Sequence, residues 1–249
     1  VASATLWLAG SDLAIVGASS LRRDLAAGAL DADTLERSFP FDDPVLRVRL
    51  TGSALRSAFE RAAATAAERD CRTPVHLAGA VVRLRCPCES PPCAEAFVKK
   101  SEICCESDAD CTAVRGACSS RSGAPGRCLL PVSARETLSL TTTAYLADGN
   151  GGLLDKVAEG DRELVAGGLR EAVTEALHES QPCDASTDCD RGCPAALLER
   201  SRAALCGDGA SCSLSPDACE RARALCETLP CLDERAGAFR DGRIRIERR

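Results

Sequence analysis

The hydrophobic period of this chain changes several times within its first 85 residues. Leu13 to Val16 is a short continuous apolar run, the length of one buried strand, and a small-residue turn from Gly17 to Ser20 follows it. Asp31 or Asp33 is placed to cap a short helical piece carrying Thr34, Leu35 and Arg37, which Pro40 ends. Val45 to Leu50 reads as a second strand. Thr51 then caps a helix running to about Glu68, with Leu55, Phe59, Ala62 and Ala66 on one stripe. Val75 to Leu84 reads as a strand with a glycine inside it, and Glu136 to Thr143 as another. Helical spacing returns over Asp161 to Glu179, where Leu164, Leu169, Val173 and Leu177 fall inward. Near the end, Ile244 and Ile246 alternate with Arg243 and Arg245, which predicts a last strand over Arg243 to Glu247. Strands and helices mix without a strict strand–helix–strand rhythm, so the expected class is α+β.

The cysteines change this picture most. Eight of the seventeen lie between Cys86 and Cys128 and eight between Cys183 and Cys231, leaving Cys71 alone outside. Each even cluster can close on itself, and the expectation is then that Cys71 is a lone thiol or is bonded outside the chain. Two His residues give little help as metal co-ligands, so disulfides in an oxidising space are the preferred reading: periplasm, cell surface or secreted fraction. Zinc is disfavoured, because no two C-x-x-C pairs stand at zinc-ribbon spacing. Asp108 and Asp110 lack the glycine and terminal Glu of an EF-hand loop, which disfavours calcium. The first cluster has few large apolar residues and needs cross-links to offset its ordering entropy. In the second, Pro194 to Leu205 and Pro216 to Leu229 read as short helices. CESDADC (Cys105 to Cys111) and CDASTDC (Cys183 to Cys189) share a spacing, a weak internal repeat.

Composition adds exclusions. The 249 residues carry a net charge of −6 and no basic stripe with interleaved aromatics, which argues against a nucleic-acid partner. No apolar run approaches the roughly 20 residues of a membrane-spanning helix. The chain starts without Met or a leader pattern and is expected to be a processed or excised fragment. No G-x-S-x-G, Walker loop or H-E-x-x-H occurs, and His76 and His178 stand alone, so no catalytic residues are assigned and the chain is not expected to be an enzyme by itself.

Five blocks follow one another in a telling order: LAIVGASSLR, SFPFDDPVLRVRLTGSALRSAFE, VHLAGAVVRL, LTTTAYLADGNGGL and the closing DGRIRIE. Together they resemble the C-terminal domain of the 5′-nucleotidase family, which reads N-x-G-G-[IL]-R, then F-P-F-G-N with [LM]-T-G-x-x-L, then a strand with S-G, then [YF]-x-A-x-G-G-D-G-Y. The resemblance covers about 1–85, 129–180 and 232–249. It leaves 86–128 and 181–231 as two disulfide-rich insertions, the second partly helical. It implies a four-layer α/β/β/α domain that supplies the nucleoside pocket of a nucleotide phosphohydrolase. Two metals and the catalytic His then belong to an N-terminal metallophosphatase domain outside this chain.

By that resemblance Phe41 and Tyr145 sandwich the base and Arg22 reaches the phosphate side. The chemistry suits those residue types, since flat rings stack a base and a guanidinium grips phosphate oxygens. The sequence departs from the family at Gly17, Ser19 and Ser20 in the first turn, and at Asp42-Asp43 in place of Gly-Asn. It departs again at Gly151, where the family has the Asp that holds a ribose hydroxyl. Asp43 and Asn150 complete the expected substrate contacts, with Asp148 the other candidate for the ribose. The expected role is the nucleoside- or nucleotide-binding domain of an exported phosphohydrolase. The alternative is a degenerate, non-catalytic module whose stapled insertions bind a protein or surface partner.

Overall fold

The computed structural model describes residues 1–23, 32–105, 107–119, 126–179, 187–188, 193–194 and 244–248. The elements run α1 (Ala2–Ala9), β1 (Leu13–Gly17), α2 (Ala32–Ser38), β2 (Val45–Thr51), α3 (Gly52–Ala67), β3 (Val75–Ala78), β4 (Val81–Cys86) and β5 (Ala94–Cys105). They continue with β6 (Ala117–Cys118), β7 (Gly126–Pro131), β8 (Thr137–Thr143), α4 (Ala144–Ala147), β9 (Arg162–Ala166), α5 (Leu169–Glu179), the short pair β10 (Thr187–Asp188) and β11 (Cys193–Pro194), and β12 (Ile244–Arg248). Two five-stranded sheets result, ordered β3-β1-β8-β2-β9 and β12-β4-β5-β7-β6. This is the mixed α+β class with two sheets.

Period-2 alternation decides which core each strand serves. On β1, Leu13 and Ile15 face one core while Ala14 and Val16 face another. The first core gathers the inner face of the first sheet, the apolar stripe of α3, and Val82, Leu84, Ala96 and Val98 of the second sheet. The second core packs α1, α2 and α5 on the outer face of the first sheet. Helix α3 forms as expected. Thr51 Oγ1 accepts the Ala54 N–H at 3.2 Å, and Leu55 and Phe59 are 1% and 2% exposed. Burying each of those two side chains contributes roughly 1.5–3 kcal/mol.

The structure corrects three readings of the pattern. Val75 to Leu84 is two strands in different sheets, because Gly79 turns the chain at φ +76° where a Cβ would meet the Asp12 carbonyl. Asp161 to Glu179 is β9 followed by α5, broken at Gly167-Gly168. Leu164 therefore sits 66% exposed on a strand instead of inward on a helix. Cys71 is not a lone thiol. It is bonded to Cys86, so the first cluster does not close on itself. That bond ties the end of α3 to the end of β4, a spatial neighbour that sequence distance hid.

Cys88–Cys93, Cys105–Cys118 and Cys111–Cys128 are the other bonds among the described residues. The sulfurs of Cys105, Cys111 and Cys128 lie within 4.8 Å of one another because two cystines stack in a buried knot. Asp108 accepts from the Cys118 N–H at 2.7 Å and from Arg83 at 2.6 Å, while Asp110 caps the turn at Ser107. The segment between Cys86 and Cys128 also supplies β5 and β7, with Phe97 and Val98 buried. Its order thus comes from sheet pairing as well as from sulfur. Among the described residues no helix is long and apolar enough to cross a membrane. The helices expected over 194–205 and 216–229 lie almost wholly outside the described residues, as does Asp31; Asp33 sits inside α2, paired with Arg37 at 2.7 Å.

Candidate functional site

Strand β2 pairs antiparallel with β8 over seven residues, from Val45↔Thr143 to Thr51↔Thr137. That register brings the turn before β2 against the helix after β8, and the Ala144 N–H donates to the Pro44 carbonyl at 2.8 Å. The SFPF run divides there: Phe39 is buried in the outer core, and Phe41, on the far side of Pro40, is left 54% exposed. Tyr145, at the start of α4, is 50% exposed. Two large rings thus stand in solvent at one end of the first sheet.

Asp43 links them. Both its carboxylate oxygens accept the Tyr145 N–H, at 3.0 and 3.2 Å. This N–H is one of the orphan donors of the first turn of α4, whose N-cap Thr143 contributes no side-chain bond. Asp43 is therefore a structural cap supplied from the neighbouring corner. Arg22 completes the group: its backbone N–H donates to the Ser38 carbonyl at 3.0 Å, and its guanidinium carbon lies 5.2 Å from the Phe41 ring centroid. A cation over an exposed ring is worth about 0.5–1 kcal/mol. Among the described residues no carboxylate pairs with that guanidinium.

Asp42 looks the other way. It pairs with Arg170 at 3.2 Å, and Arg170 also reaches Glu36 on α2 at 3.6 Å. Gly168 lies so close that a Cβ there would overlap the Asp42 carboxylate. Arg170 and Gly168 escaped the sequence reading, although the Gly-Gly pair ahead of α5 was a visible break signal.

The loop after α4 turns through Gly149, Gly151 and Gly152, all in the left-handed region. Gly151 lies beside Tyr145, where a Cβ would stand 3.4 Å from Cε1 of the ring. Asn150 is exposed next to it. Asp148 is drawn off to Arg162 at 2.6 Å, and Arg162 also donates to the carbonyls of Ala147 and Val157. Of the expected contacts, then, Phe41, Tyr145, Arg22 and Asp43 come together, Asn150 sits on the adjoining loop, and Asp148 is committed to an ion pair.

His76 lies on β3, across the sheet from this corner; its side chain is exposed at the sheet surface, and its pKa is lowered chiefly by partial desolvation. The His178 side chain lies outside the described residues. A shallow cleft of about 260 Å³, lined by Arg49, Thr51, Leu154 and Lys156 among others, is at the opposite end of β2 from the two rings.

Comparison with known proteins bears on this geometry. No curated protein matches the sequence. Among solved structures the chain is similar to a 5′-nucleotidase precursor from Thermus thermophilus, with 14% identity and a TM-score of 0.50 over 98% of this chain and 34% of that one. It is also similar to the NAD nucleotidase of Haemophilus influenzae, at 15% identity and a TM-score of 0.42 over 60% of this chain and 24% of that one. A sulfate thiohydrolase of Thermus thermophilus in complex with glycerol gives 12% identity and a TM-score of 0.43, over 69% and 28%. The chain spans about a third of the length of the first of these proteins. At 14% identity the likeness to the first of these speaks for the fold alone, and the other two carry no argument. The family model of the 5′-nucleotidase C-terminal domain matches residues 1–159, from α1 through β8 and the Tyr145 loop, and the chain belongs to that family.

Proposed function

We propose that this chain is the nucleoside- or nucleotide-binding domain of an exported 5′-nucleotidase-like phosphohydrolase acting in nucleotide catabolism. The observation that carries the reading is the corner itself: two half-exposed rings joined through Asp43, with Arg22 stacked on one of them. Exposed aromatics held by paired strands offer stacking faces at little further entropy cost. A guanidinium with no carboxylate partner among the described residues suits a phosphate beside the stacked base.

Hydrolysis in this proposal belongs to an N-terminal metallophosphatase domain holding a divalent metal pair. Among the described residues, the grouped metal-capable side chains are Cys105, Cys111 and Cys128, and all three are bonded in disulfides. This chain's own part is to bind and orient the nucleoside. Export to the periplasm, the cell surface or the medium is supported by the disulfides of the described residues. One observation favours the alternative of a non-catalytic module: Gly151, beside Tyr145, brings no carboxylate to a ribose.

The test is calorimetric titration of the oxidised chain with adenosine and guanosine, beside a Phe41→Ala, Tyr145→Ala double variant. Binding by the wild type and its loss in the variant are expected. Nucleoside binding that survives removal of both rings would overturn the reading.

A further inference from the structure

Asp43 is singled out among the charged groups of the aromatic corner by what it does not pair with. Asp42 is neutralised by Arg170, and Arg22 lies on the Phe41 ring. The Asp43 carboxylate has as its partner among the described residues one neutral donor, the Tyr145 N–H, shared between both oxygens. Each oxygen keeps lone pairs free, and the group is an acceptor with no proton to give. It follows Phe41 by two residues and is bonded to the backbone N–H of Tyr145, so it lies at the base of both rings' attachments.

We propose that Asp43 makes this corner selective for a flat ring that presents adjacent N–H donors on one edge, which among the common nucleobases is guanine. The inference rests on the nucleoside-binding reading above and adds the identity of the base. Guanine offers its ring N1–H and 2-amino group side by side. Hypoxanthine keeps only the ring N–H, and adenine sets a lone pair beside its amino group, which faces a carboxylate unfavourably. A bond to a charged acceptor is among the stronger hydrogen bonds, and an edge that leaves this acceptor unpaired loses roughly tenfold or more in affinity. Gly151, beside the Tyr145 ring, brings no side chain to compete for that edge.

The experiment titrates the oxidised chain with guanosine, inosine, adenosine and 2′-deoxyguanosine, and repeats the series on Asp43→Asn. Asparagine keeps a carbonyl acceptor for the Tyr145 N–H but replaces the other oxygen with a donor. Expected for the wild type is guanosine about tenfold tighter than inosine and tighter still than adenosine, with 2′-deoxyguanosine close to guanosine. In Asp43→Asn the advantage of guanosine over adenosine should collapse. Equal affinities in the wild type overturn the inference, as does a preference that Asp43→Asn leaves unchanged. If the loss caused by Asp43→Asn disappears on 2′-deoxyguanosine, the carboxylate holds the sugar and the assignment to the base is wrong. No binding of any nucleoside would overturn the nucleoside-binding reading itself, which binding without discrimination would leave standing.

Discussion

Removing the Cys71–Cys86 bond is the sharpest perturbation of the scaffold that carries the corner. The bond closes a loop of sequence separation 15, between the end of α3 and the last residue of β4. Loop-closure entropy for that length is worth about 3 kcal/mol in the unfolded chain. Cys86 is 1% exposed, so its loss also costs packing of about 1 kcal/mol. Against this, Asp70 and Cys71 hold φ +52° and +60°, and freeing that turn returns part of the roughly 1–2 kcal/mol per residue such backbone costs. The net expectation for Cys71→Ala, Cys86→Ala is a loss of about 3 kcal/mol, a large share of a typical 5–15 kcal/mol domain stability. Cys88–Cys93 closes a separation of only 5, so its removal is expected to cost about 2 kcal/mol on the same relation. Urea unfolding under oxidising conditions, followed by far-ultraviolet circular dichroism, measures both. A loss below about 1 kcal/mol for the Cys71 pair would refute the loop-closure reasoning, and an alkylatable Cys71 in the folded wild type would refute the pairing itself.

Two further outcomes follow from the same structure. Arg170→Ala frees the Asp42 carboxylate beside α5 and uncouples the Phe41 corner from α2, so nucleoside affinity is expected to fall several-fold at the cost of at most about 1 kcal/mol of stability, as the ion pairs are partly exposed; unchanged calorimetric affinity would show that the clamp does not position the ring. Because the folded pKa of His76 is lowered, the native state binds fewer protons than the unfolded chain as pH falls through the unfolded value near 6.5. Stability should decline there and level off below the folded pKa, and His76→Gln should flatten that part of the urea-midpoint profile; identical profiles for the two proteins would remove His76 as the cause.

What could be read from the sequence was whatever depends on local period. β1, β2, α3 and β8 lie close to where their apolar patterns put them, because in each of them one pattern coincides with one element. β9 was hidden because its Arg162–Ala166 run fell into phase with the helical stripe of α5, and only Gly167-Gly168 betrayed the break. The split between β3 and β4 was hidden for a related reason: a glycine inside an apolar run looks the same whether the strand continues or turns into a second sheet. α1 showed no signal, since its residues are apolar on most sides and carry no stripe. Phe41, Tyr145 and Arg22 were legible as residue types at element ends. The jobs of Asp43, Asp42 and Arg170 were not, because a side chain that caps a helix a hundred residues away leaves no trace in spacing.

The seven-pair register of β2 and β8 has a consequence for how such a protein tolerates change. Phe41 and Tyr145 lie just beyond the same ends of two paired strands, so the sheet sets how closely the two strand ends that carry them approach. The cysteine-rich segment that begins at the end of β4 joins the second sheet, which packs on the first through the apolar core around α3 and is tied to that helix where Glu60 accepts the Cys93 and Ala94 N–H groups. Length can therefore be added there as to a building extended on the side away from its entrance, with the doorway left at its original width.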